Sequence, residues 1–137
     1  MEWTYDKLKV GDKDSVSKVV TGEDVADFAR ISLDNNRVHL DEEYAKTTPF
    51  GRRIAHGMFG AGLISAALGT KLPGYGTIYM GQNLKFMAPV FLGDTITAWV
   101  EVVEKIDAKK RLKLKTWVEN QDGKVVIDGD ALVMFNK

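Results

Sequence analysis

Polar and apolar residues alternate through SVSKVV, residues 15–20, as they do in a strand with one buried face. The period then changes. In TGEDVADFARIS, Thr21 can cap a helix, with Asp24 three residues on in the reciprocal position. Val25, Phe28, Ala29 and Ser32 recur on one face, and the helix is predicted to end near Ser32 or Leu33. DNNRVH has no period and is rich in side chains that bond their own backbone, so it reads as a loop. Asp41 can cap a short helix over EEYAKT, which TTPFG breaks.

The segment RIAHGMFGAGLISAALGTKLPG predicts the central helix. Ile54, Met58, Ala61, Leu63, Ile64, Ala67 and Leu68 wrap most of its circumference, and a helix apolar all round is a buried one. Gly57, Gly60 and Gly62 lie in the same segment, each costing about 1 kcal/mol against alanine. Close approach to a sheet or a ligand is the usual compensation. Everything after Leu72-Pro73-Gly74 reads as strand: 77–90, 94–107, 111–120 and 125–135, with Asp122-Gly123 as a hairpin turn. The order strand, helices, four antiparallel strands predicts an α+β fold, an antiparallel sheet wrapped around a central buried helix. A single such sheet leaves an edge and a face open, so a homodimer that continues the sheet is expected.

Composition narrows the options. The chain has 137 residues with 19 basic and 19 acidic side chains, so it has no net charge. A general nucleic-acid binder would need a basic surplus, so no nucleic acid is expected as partner. No cysteine is present, which excludes thiol nucleophiles, disulfides and thiolate metal sites. The first residues carry acids and no apolar core region, and no run is long enough to span a bilayer, so a cytoplasmic protein without membrane partners is expected. No linker divides the sequence, and residues 1–137 are expected to form one domain.

The polar stretch SLDNNRVHLDEEYA holds the candidate chemistry. Asp34 offers a carboxylate and His39, five residues on, an imidazole suited to proton transfer near neutral pH. Taken singly, each has a plainer reading: Asp34 a turn residue, His39 a surface histidine, Asp41 a helix cap, His56 a ring packed under the loop, and Ser65 a hydroxyl bonded back to Ala61. His39, Asp41 and His56 show no metal-ligand spacing, so no metal is expected.

The two blocks together resemble the MaoC-like hot-dog family, most closely its (R)-specific enoyl-CoA hydratases. The pattern Asp, any residue, Asn, usually Pro, any residue, His, any residue, Asp is met by Asp34, Asn36, His39 and Asp41. The Ile-Ala-His-Gly-Met stretch follows at 54–58, and FMAPVFLGDTI matches at 86–96. The resemblance covers nearly the whole chain and implies a hot-dog fold. It also implies hydration of trans-2-enoyl-CoA, with Asp34 and His39 holding the reacting water and the Gly57 amide stabilising the thioester oxygen. Asn36 and Ser65 are implied as supporting polar contacts, Ser65 near the catalytic Asp. Met58 and Leu68 are candidate acyl-pocket walls, and Arg52, Arg53, Lys71 and Lys85 are candidate partners for the CoA phosphates. No cofactor beyond the CoA thioester is implied. The alternatives are a 3-hydroxyacyl-ACP dehydratase, a non-catalytic acyl-CoA binding module and, less well matched, a thioesterase. Two positions depart from the family: Arg37 replaces the usual proline, and Leu33 stands where Gly or Glu is common.

Overall fold

The computed structural model describes residues 2–137. Five antiparallel strands form one sheet in the order β1-β3-β4-β5-β2. They are β1 (Lys13–Val19), β2 (Ile78–Phe86), β3 (Thr95–Ile106), β4 (Arg111–Glu119) and β5 (Val125–Met134). The helices are α1 (Gly22–Ser32), α2 (Arg37–Leu40), α3 (Glu42–Ala45) and α4 (Gly57–Thr70). This is the α+β sheet and central helix that the pattern predicts.

The inner face of the sheet is written in the alternation of β3 and β4. Ile96, Ala98, Val100 and Val102 are completely buried, as are Leu112, Leu114, Thr116 and Val118, while the residues between them are not. Period-two patterning sends each set to one side of the pleat. Ile64, Ala67 and Leu68 of α4 join the same core. Bulges at Val102/Glu104 and Val118/Glu119 interrupt the register, and bulges bend a strand. The one buried hydroxyl of this face, Thr116, accepts a hydrogen bond from the Gln82 amide at 2.9 Å.

Three local readings are corrected. Residues 53–56 are not helical. Ile54 forms a bridge to Phe91 and the Ala55 amide donates to the Val90 carbonyl at 2.8 Å, so α4 begins at Gly57. The stretch read as a loop contains the one-turn helix α2, capped by the Asn36 side chain. Nor is α4 buried all round: Met58 is 56% exposed, and Gly62 and Ser65 share its open side. That side borders a groove walled by Phe28 and by Tyr79 and Met80 of β2. Strand β2 is an edge, and Ile78, Tyr79 and Met80 leave 48, 40 and 42% of their surface exposed.

Candidate active site

Four consecutive residues, Arg53 to His56, form an extended strut that holds the polar loop. One side of the strut is stitched to Val90 and Phe91. From the other side, Arg53 Nε donates to the His39 carbonyl at 2.7 Å, and the Ile54 amide donates to the Val38 carbonyl at 3.4 Å. The Ile54 carbonyl accepts from His39 Nδ1 at 2.8 Å, and His56 Nε2 donates to the Asp34 carbonyl at 2.8 Å. The loop's own bonds complete the frame. The Asp34 amide donates to Ser32 Oγ at 3.1 Å, and the Asn36 amide donates to an Asp34 carboxylate oxygen at 3.3 Å.

These contacts fix the chemistry of His39. A carbonyl oxygen only accepts, so Nδ1 carries the proton and Nε2 keeps its lone pair. Burial pushes the His39 pKa below the usual histidine range, and His56 adds to that. The Ile54 carbonyl and the Asp34 carboxylate oppose it. The ring is 8% exposed, while Asp34 is open to solvent. An Asp34 carboxylate oxygen and one ring nitrogen each of His39 and His56 lie within 4.8 Å of one another. A water bonded to two acceptors at ordinary lengths bridges atoms about 4.5 Å apart, so groups within this limit are close enough to share one water. The same three groups are close enough to be drawn as metal ligands, a cluster that spacing along the chain hides. The His39 and His56 rings, however, are stacked, with centroids 3.8 Å apart and planes 27° apart. Ring lone pairs lie in the ring plane, so a stacked pair does not converge on one ion at the roughly 2.0–2.1 Å a zinc–imidazole bond needs.

Asp34, His39, His56 and Gly57 line a cavity of about 460 Å³ whose other walls are apolar, among them Phe59, Gly60, Phe86, Val90, Ile96 and Ile127. A size of this order suits a small-molecule site. No side chain caps α4 at His56, which leaves the first amides of the helix open to another acceptor at its positive end. A Cβ on Gly57 would come within 2.6 Å of the Phe86 ring, and one on Gly60 within 2.6 Å of Ile127 Cδ1. The close approach these glycines allow is therefore to side chains of the sheet. Nothing lies within 4 Å of such an atom at Gly62, and no contact explains that glycine.

The remaining sequence candidates fall in different places. Met58 lines both the cavity and the outer groove. Leu68 is completely buried in the core; three turns beyond Gly57, it packs on the sheet past the cavity rather than lining it. Ser65 is exposed in the outer groove with Tyr79 and Met80, and is not brought to the cavity that holds Asp34. Asn36 spends its side-chain oxygen on the Val38 amide at 3.3 Å, as the cap of α2. Asp41 caps α3 by accepting from the Tyr44 amide. Among the basic residues, Arg53 holds the His39 carbonyl and Arg52 stacks 3.8 Å from the Phe91 ring centre. Lys85 is exposed on β2. Lys71 ends the 14-residue α4, about 20 Å from Gly57 at 1.5 Å per residue.

Both departures from the family pattern have a structural setting. Leu33 adopts φ +67 at the end of α1, the left-handed conformation that glycine takes most easily. Arg37 is the first residue of α2, where proline is also tolerated. There it pairs with Asp41 at 3.3 Å and lies 4.5 Å from the Tyr44 ring centre.

Comparison with known proteins agrees with this fold. A family model described as MaoC like domain matches residues 9–123. An (R)-specific enoyl-CoA hydratase of Rhodospirillum rubrum is 48% identical over 130 residues, covering 95% of this chain and 90% of that protein. A 3-hydroxybutyryl-CoA dehydratase of Methylorubrum extorquens is 47% identical over 133 residues, covering 97% and 84%. The unliganded structure of an R-hydratase from Pseudomonas aeruginosa superposes with a TM-score of 0.94 at 48% identity, over 98% of this chain and 86% of that one. The fold and the sequence are thus those of one lineage, and the chain belongs to the MaoC-like family of hot-dog proteins.

Proposed function

We propose that the chain is an (R)-specific enoyl-CoA hydratase. It adds water across the double bond of a trans-2-enoyl-CoA to give the (R)-3-hydroxyacyl-CoA, or runs the reverse dehydration. The observation that carries this reading is that an Asp34 carboxylate oxygen and a His39 ring nitrogen lie within 4.8 Å of each other on the wall of a mainly apolar cavity. The Asp34 carboxylate and His39 Nε2 are both acceptors and can take the two hydrogens of one water, turning its oxygen lone pair to C3. As the C3–O bond forms, one proton passes to one of these acceptors and from it to C2 on the same face. The other proton stays on the new hydroxyl, so atoms and charge balance with no further acid or cofactor. The thioester oxygen gains enolate charge in the transition state, and the Gly57 amide at the positive end of α4 is a fixed donor for it. The apolar walls then receive the acyl chain. A supporting role for Asn36 belongs to this reading, its backbone amide donating to the carboxylate of Asp34; Ser65, on the groove side of α4, is left out of it.

The working unit is a homodimer. In its favour are the open edge of β2, with three exposed apolar side chains, and the unpartnered Met58–Ser65 side of α4 beside it. Sedimentation or light scattering at twice the chain mass supports it, and a monomer at assay concentration contradicts it.

Incubation with crotonyl-CoA tests the activity. The absorbance of the conjugated thioester should fall, and chiral chromatography of the hydrolysed product should give the (R)-3-hydroxy acid. Release of free thiol without hydration indicates a thioesterase, and tight binding with the double bond untouched indicates a binding module. Faster turnover of the carrier-protein thioester than of the CoA thioester moves the assignment to an acyl carrier protein dehydratase.

A further inference from the structure

His56 is a buried histidine that the reaction scheme leaves idle. Its ring lies between those of His39 and Phe28, with centroids 3.8 and 4.7 Å away. One nitrogen, Nε2, bonds the Asp34 carbonyl at 2.8 Å. The other, Nδ1, is buried without any hydrogen-bond partner. The two facts are linked. In a neutral imidazole, donation to a carbonyl places the single N–H on Nε2 and leaves Nδ1 a bare acceptor in an apolar setting, a costly arrangement. A ring serving only as packing would be less costly as phenylalanine, which has a similar shape and no orphaned atom. What histidine adds at this position is the Nε2–H bond to Asp34.

We propose that His56 is a positioning residue. Its Nε2–H fixes the backbone of Asp34 while its ring face supports the His39 imidazole, so one side chain sets the separation of the two groups that share the water. The loop it holds needs holding: residues 33–37 are all exposed. A misplacement of about 1 Å in a reacting group can cost on the order of 100-fold in rate.

The proposal rests on the hydratase reading, and two variants test it with two readouts. His56→Phe keeps the packed ring and loses the donor. His56→Gln loses the ring but can bring its amide nitrogen close to where Nε2 lies. Expected for His56→Phe is a fall in kcat of about 10- to 100-fold, with a KM for crotonyl-CoA close to wild type and no loss of thermal stability. His56→Gln should recover a large part of kcat. Amide hydrogen exchange, which needs no activity, should quicken at Asp34 and Asn36 in His56→Phe and slow again in His56→Gln. Unchanged kcat and unchanged exchange in His56→Phe would overturn the proposal. So would equal impairment of both variants, or a rate loss that tracks a lower melting temperature. If the wild type does not hydrate crotonyl-CoA, the functional reading fails, and the exchange comparison still decides the positioning role.

Discussion

Gly60→Ala adds one methyl group where α4 meets the wall of the cavity. The new Cβ would stand 2.6 Å from Ile127 Cδ1, against about 3.5–4.0 Å for carbons in contact. Ile127 is 2% exposed, so its end cannot swing into solvent and must yield by about 1 Å into space that both residues line. Forced repacking of this kind costs about 1–3 kcal/mol. Alanine in place of an internal helical glycine returns about 1 kcal/mol. The net loss of stability is therefore about 0–2 kcal/mol, which a urea or thermal unfolding curve measures. The effect on catalysis is larger and selective. Room for one methylene in an apolar pocket discriminates by about 10- to 200-fold. Crotonyl-CoA carries a single carbon beyond its double bond and should be little affected. For trans-2-hexenoyl-CoA, kcat/KM relative to crotonyl-CoA should fall at least about tenfold from the wild-type ratio. Equal losses on the two substrates would refute the placement of the acyl chain against Gly60 and Ile127.

Other changes follow from the same geometry. Leu33 is 83% exposed at φ +67; left-handed backbone costs a non-glycine about 1–2 kcal/mol and glycine's added chain entropy about 0.4–1 kcal/mol. Leu33→Gly should therefore raise stability by about 0–1.6 kcal/mol, and a lowered unfolding midpoint would contradict this. Arg37→Pro should leave activity and unfolding midpoint nearly unchanged. Asn36 already has φ -53 and ψ 129, which suits a residue before proline. The pairing of Arg37 with Asp41 and Tyr44, which proline cannot make, is exposed to solvent and worth little. His39 is held below the ordinary histidine range, chiefly by burial, so the acid limb of kcat/KM should have its midpoint below about pH 6.5. The unfolded chain then takes up this proton first as pH falls. Stability should accordingly decline as pH drops below about 6.5, and an acid limb above that value would contradict the state assigned to His39.

Much of this is legible in residue order, and what is not has physical causes. The alternation in 94–107 and 111–120 marks β3 and β4 because burial on one face repeats every two residues. Asn120 and Gly123 close the last hairpin, the Gly123 amide donating to the Asn120 carbonyl and Gly123 taking φ +76, as Asp-Gly announces. The start of α4 escapes a local reading because Ile54 and Ala55 are apolar at helical spacing; their pairing with Phe91 and Val90 is a contact about 35 residues away that no local pattern carries. The one-turn α2 is too short to show a period. Likewise nothing in the composition of β2 says that it pairs with β5, the last strand, rather than with the neighbouring β3.

At the site, Asp34 and His39 can be named from sequence, but not what holds them. The strut works through carbonyls and amides, which every residue possesses, so the roles of Arg53 and His56 leave little trace in side-chain type. The one available signal is that the chain has only 2 histidines, His39 in the polar stretch and His56 in the glycine-bearing segment that follows it. The family resemblance implies Ser65, and the apolar character of α4 makes Leu68 a candidate wall, but neither tells the cavity side of α4 from its groove side or from its core side.

Asp34→Asn bears on the central claim most directly. The change is isosteric and exposed, and it removes a proton acceptor while keeping the loop's shape. With circular dichroism and melting temperature unchanged, kcat/KM for crotonyl-CoA hydration should fall by about 10²- to 10⁴-fold, the range for removal of a positioned acid–base group. Hydration at close to the wild-type rate would contradict the account.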